Sequence, residues 1–157
     1  MTLDELIARE EIRHTLATYN KSGDADDADG FAACFTEGGV FDATGAYLEG
    51  REQIRAWKAS HQLFSGGASG ATAAFRVHHL TCIHIELLSP ETARTRTGWI
   101  VITNNGVDHS GIYHDRFRRV GERWLIEKRV IDNLWRSEHS FISPEIIGCR
   151  SAELGIS

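Results

Sequence analysis

The sequence predicts an α+β domain. Three N-terminal helices pack against one long, curved antiparallel sheet, which closes as a cone-shaped α+β barrel with a pocket inside. Two observations carry this. Apolar residues recur at helical spacing as far as Leu63, and from Phe75 onward the period switches to two. Turn residues then cut the second part into four long strands, and helices followed by a run of strands give an α+β layout.

Leu3, Leu6, Ile7, Ile12, Leu16 and Tyr19 fall at intervals of three to five residues, as on an amphipathic helix. Thr2 or Asp4 caps its start and Gly23 offers a stop. A second, shorter helix is expected over Asp27 to Cys34, with Phe31 and Phe35 inward. Thr36 to Gly39 reads as a turn, Val40 to Asp42 as a short strand, and Ala46 to Glu49 as another. Arg51 to Leu63 returns to helical spacing with Ile54, Trp57 and His61 on one stripe. Ser65 to Gly70 reads as a loop or lid.

The four long strands are expected at Arg76–Leu88, Ala93–Thr103, His109–Val120 and Trp124–Trp135. Ser89-Pro90-Glu91, Asn104-Asn105-Gly106 and Gly121 supply the turns, because asparagine and glycine tolerate positive φ. Short turns make the four strands an antiparallel meander. The chain is read as one domain over residues 1–157, with a core to 142 and an irregular tail over 143–157.

At 157 residues, with 41% apolar and 25% charged residues, the chain can bury one substantial core. The net charge of −5 is spread without a basic run, which argues against nucleic acid as a partner. No apolar run approaches the roughly 20 residues that span a bilayer, so no membrane association is expected. The N-terminus opens directly into a charged helix, so no signal peptide is read. Cys34, Cys82 and Cys149 lie scattered, which fits reduced thiols in a cytoplasm.

Several motifs stand out: Ile12…Tyr19…Gly23-Asp24, Cys34-Phe35-Thr36-Glu37-Gly38-Gly39, and Gly50 before a helix. Later come His78-x-x-Thr81, Gly111-x-Tyr113-x-Asp115 and Trp124-x-Ile126…Arg129. Their order resembles the SnoaL-like branch of the nuclear transport factor 2-like superfamily, over about Leu3 to Trp135. That group includes scytalone dehydratase, ketosteroid isomerases, polyketide cyclases and hexachlorocyclohexane dehydrochlorinase. One fold of this kind carries many chemistries, so the residues must argue the function.

The resemblance implies a catalytic pair, Asp24 and His78, at the positions of the dehydratases' aspartate and histidine. A neutral imidazole of pKa about 6.5 is a competent base, and an aspartate fixes its tautomer and balances the imidazolium. Arg129 falls where the dehydrochlorinase has a pocket arginine, which would hold a leaving anion or a developing oxyanion. Tyr19 stands where that enzyme has a lysine, so an identical mechanism is not implied. Tyr19 is a candidate catalytic residue that would donate a hydrogen bond to substrate and stabilise the negative charge, or else it closes the first helix onto the core. The second histidine and the tyrosine of scytalone dehydratase align with Thr103 and Ala43 and are missing from those positions.

Phe41, Trp57, Trp99, Tyr113 and Trp135 are the candidate substrate-binding aromatics, with Tyr47 beside them. Among the eight histidines, His78 and His84 would share a strand face about 20 Å apart, and His109 and His114 fall on opposite faces. Neither pair converges on one ion, so no metal site and no cofactor are expected. No nucleotide-binding or serine-hydrolase motif is present.

The expected function is a cofactor-independent lyase or isomerase acting on a small, cyclic, largely apolar substrate, with loss of water the first choice. The alternatives are a non-catalytic small-molecule binding protein and a small structural subunit of a ring-hydroxylating oxygenase. Apolar residues on both faces of the Leu80–Leu87 stretch suit a homo-oligomer, a trimer or dimer.

Overall fold

The computed structural model describes residues 1–61 and 75–156. The expected loop over Ser65–Gly70 and the expected end of the third helix at Leu63 lie outside the described residues.

Helix α1 runs over Leu3–Asp24 and opens on a capping box. Thr2 Oγ1 accepts from the Glu5 amide at 3.2 Å, and Glu5 accepts from the Thr2 amide at 2.7 Å, satisfying two otherwise free donors. The helix continues past the expected stop at Gly23, so Asp24 is its last residue. Helix α2 covers Ala28–Ala32, capped by Asp27, which accepts from the Gly30 amide at 2.9 Å. Helix α3 spans Arg51–Ser60.

Six strands follow the order β2-β1-β6-β5-β4-β3: β1 Phe35–Ala43, β2 Ala46–Glu49, β3 Arg76–Leu87, β4 Thr92–Thr103, β5 Gly106–Val120 and β6 Arg123–Arg136. The sheet is curved but open, with β2 and β3 at its edges, and does not close into the expected barrel. The predicted turn at Thr36–Gly39 is instead a register shift inside β1, between Phe35 and Val40. That strand lies parallel to β6, a pairing that a meander of local hairpins does not contain.

Ile12, Leu16 and Tyr19 of α1 pack on Phe35, Phe117, Trp124 and Ile126, so the helices cover one sheet face. Buried apolar area of this kind is the main stabilising term in such a layer. Register shifts in the sheet set which side chains look inward. Between Thr81 and His84 the β3 register shifts, with Cys82 at φ 48°. His78 then faces Val101 and His84 faces Arg96, an odd spacing on β4, so these histidines lie on opposite faces rather than one.

A short 3-10 turn, Pro144–Ile146, and a helix α4, Arg150–Glu153, end the chain. The α4 segment is pinned to the outside of the sheet. Asp132 accepts from the Ser151 amide at 2.8 Å and its hydroxyl at 2.5 Å, and Arg150 donates to buried Asp42 at 2.8 Å. Ile146 reaches the cavity, so the tail closes part of its mouth.

Candidate active site

Between α1, α3 and the concave sheet face lies a cavity of about 360 Å³. Its wall takes Tyr19 and Asn20 from α1, Trp57 and Lys58 from α3, Phe41 from β1, and Arg76 and His78 from β3. Trp99, His109, Tyr113, Ile131 and Asn133 come from the next three strands. Volume and mixed lining suit a small organic ligand.

At this wall the last residue of α1 meets the third residue of β3. Asp24 Oδ1 lies 2.5 Å from His78 Nδ1, and Asp24 Oδ2 accepts from the His78 backbone amide at 2.9 Å. One carboxylate thus grips both the ring and the main chain of a single residue. A carboxylate accepts only, so Nδ1 carries a proton, and in the neutral ring Nε2 is the atom with the lone pair.

Arg76 fixes the carboxylate from the other side. Being two residues before His78, it projects to the same strand face. It donates to Gly23 O at the C-terminal end of α1 and to Asp26 Oδ1 at 2.5 Å, and its Nε stands 3.7 Å from Asp24 Oδ1. That last distance is an ion pair and too long for a hydrogen bond. Lys58 Nζ meets Asp26 Oδ1 at 2.5 Å; burial holds its pKa below the usual lysine value, against the pull of Asp26.

A second aspartate–histidine pair faces the same cavity. Asp108 Oδ1 lies 2.7 Å from His109 Nδ1, and the same carboxylate accepts from the Ser140 hydroxyl and from the Phe141 amide at 3.3 Å. Burial pushes the His109 imidazole down to about 4, although Asp108 opposes this. The rings of His78 and His109 stand 6.4 Å apart, edge to face.

The predicted aromatics divide. Phe41, Trp57, Trp99 and Tyr113 line the cavity, with Trp99 stacked on Tyr113 at 5.4 Å and Phe41 tilted against Trp57 at 5.0 Å. Trp135 does not: it is 48% exposed on the opposite face. Between Ser110 and Gly111 the partner on β6 jumps from Trp135 to Asn133, and this bulge at Leu134 turns Trp135 outward. Tyr47 is also exposed.

Arg129 is fully buried and is not among the cavity residues. Its guanidinium sits between the Tyr19 and Tyr113 rings, 4.0 Å from each centroid, and makes two 2.7 Å bonds to Asp115. It therefore cannot meet a ligand anion in this geometry; it holds the cavity floor. Tyr19 lines the cavity, and burial pushes its hydroxyl up to about 12, so near neutral pH it stays protonated and keeps its hydrogen-bond donor.

Sequence reasoning missed Arg76, Lys58 and His109. The adjacent Asp108-His109 pair was the available signal for the last. No group of three potential metal ligands occurs among the described residues.

An open α+β sheet with a carboxylate-backed histidine in a helix-covered cavity defines a small-molecule pocket protein. A SnoaL-like domain model matches residues 4–130, and the chain belongs to that family. Among solved structures, a candidate scytalone dehydratase from Novosphingobium aromaticivorans is similar at 19% identity and TM-score 0.72, covering 88% of this chain and 91% of that one. LinA is similar at 15% identity and TM-score 0.72, covering 90% and 97%. An NTF2-like protein with a cystatin-like fold, also from N. aromaticivorans, shares 25% identity at TM-score 0.71, covering 90% and 92%. A search of curated proteins returns no match.

Proposed function

We propose that the chain is a cofactor-independent lyase of the dehydratase type, acting on a small cyclic substrate that carries an activating carbonyl and a β-hydroxyl. The single observation behind this reading is the Asp24 carboxylate bound at once to the His78 ring and amide, with His78 on the wall of a cavity that six aromatic side chains help to line. The similarity to a candidate scytalone dehydratase supports the same class.

In this mechanism His78 Nε2 takes the proton from the carbon next to the carbonyl, and that C–H pair moves toward the carbonyl oxygen. Asp24 balances the imidazolium that forms. The developing oxyanion falls in the field of Lys58 and Arg76, the two cations of the wall, and this replaces the part expected of Arg129. As the C–O bond breaks, hydroxide leaves with the pair of that bond and collects the proton from His78, giving water and a conjugated enone. The histidine returns neutral, so no co-reactant is consumed.

A panel of cyclic β-hydroxy ketones, followed by the ultraviolet absorbance of the enone, tests the reading. Turnover by the wild type and its loss in His78→Gln support it. Tight binding of these ketones without enone would make the chain a binding protein instead.

A further inference from the structure

We propose that His109 is a specificity residue: the ligand of this cavity carries a second hydroxyl, apart from the carbon that His78 deprotonates, and that hydroxyl donates a hydrogen bond to His109 Nε2. The inference rests on the pocket reading above and names the substrate class more narrowly, as a hydroxylated cyclic ketone.

The tautomer follows from the partners of Asp108. That carboxylate receives the Ser140 hydroxyl, the Phe141 amide and the His109 ring, and it has nothing to give in return. Nδ1 of His109 must therefore be the donor, which leaves Nε2 a bare acceptor. No partner meets Nε2 among the described residues, while the residue lines the cavity. The ring is also held: Trp99 lies 5.3 Å from it and Phe141 5.2 Å, both edge to face.

Burial keeps the imidazole neutral near pH 7, so the acceptor persists there. An acceptor-only atom facing a cavity selects a donor, because an ether or carbonyl oxygen would meet it lone pair to lone pair. The donor is a hydroxyl, the neutral donor that a cyclic ketone of the proposed class would carry. Nor does His109 replace His78 as the base. Its low proton affinity makes it a poor acceptor of a proton from carbon, and a good acceptor of a hydrogen bond.

The test is equilibrium binding of hydroxylated tetralones, each paired with its methyl ether, read by quenching of tryptophan fluorescence. Wild type is expected to bind at least one hydroxyl compound roughly tenfold tighter than its ether. His109→Phe, which keeps a ring between Trp99 and Phe141, is expected to bind the two within about threefold. Asp108→Asn keeps the imidazole and offers an N–H to Nδ1, which moves the ring proton to Nε2, so the hydroxyl preference is lost there too. A wild type without hydroxyl preference across the panel overturns the proposal, as does a preference that survives in either variant. No step needs turnover, so binding selectivity without enone formation would sink the lyase reading and leave this one standing.

Discussion

Arg129 and Asp115 share two 2.7 Å hydrogen bonds in a pair that solvent does not reach, with the guanidinium closed between Tyr19 and Tyr113. Helix α1 and strands β5 and β6 each contribute to this unit, which lies beneath the cavity. Breaking one side leaves a buried charge uncompensated. Arg129→Met is expected to cost about 3–5 kcal/mol in urea unfolding. Arg129→Met combined with Asp115→Leu should recover much of that loss, because it removes both charges; a double variant no better than the single would contradict the account.

Gly111 tests the cavity wall in another way. A Cβ there would stand 1.9 Å from Asp132 O and 2.5 Å from the Trp99 ring. The first contact is with backbone and cannot yield cheaply. Gly111→Ala is expected to destabilise by about 1–3 kcal/mol or more and to weaken binding of cyclic ketones by displacing Trp99. An unchanged melting temperature would show that β5 and β6 can part there.

His109 gives a pH dependence whose sign follows from its lowered pKa. Burial holds the folded value at about 4, against about 6.5 for a free histidine. Between these values the unfolded chain binds the proton more readily, so stability falls as pH drops through that window. The loss attributable to this residue is on the order of 3 kcal/mol. His109→Phe should flatten the stability profile between about pH 6.5 and pH 4 relative to wild type, measured by denaturant unfolding. Parallel profiles would mean that the ring is hydrated or charged in the fold.

Much of the architecture was legible because its signals are local. Gly23, Gly50, Asn104-Asn105 and Gly121 stop elements within a few residues of where the structure ends them, and period two marked β3 to β6. The parallel β1–β6 pair was not legible, since nothing near Phe35 names a partner some ninety residues on. The bulges at Cys82 and Leu134 were equally silent, and each reverses a face, which misplaced His84 and Trp135. Arg129 is the deepest case. Its sequence position fits a pocket arginine, and only Tyr19, Tyr113 and Asp115, assembled in space, decide that it is enclosed.

In the proposed mechanism His78, backed by Asp24, takes a proton from carbon. Exchange of the α-hydrogens of a cyclic ketone such as tetralone in heavy water, followed by proton NMR, tests this without knowing the natural substrate. Wild type is expected to exchange these hydrogens well above the buffer rate. Asp24→Asn, which upsets the tautomer, should be slower by on the order of 10²–10⁴-fold, and His78→Gln should fall to the buffer rate. Wild-type exchange at the buffer rate, or His78→Gln exchange equal to wild type, would contradict the account.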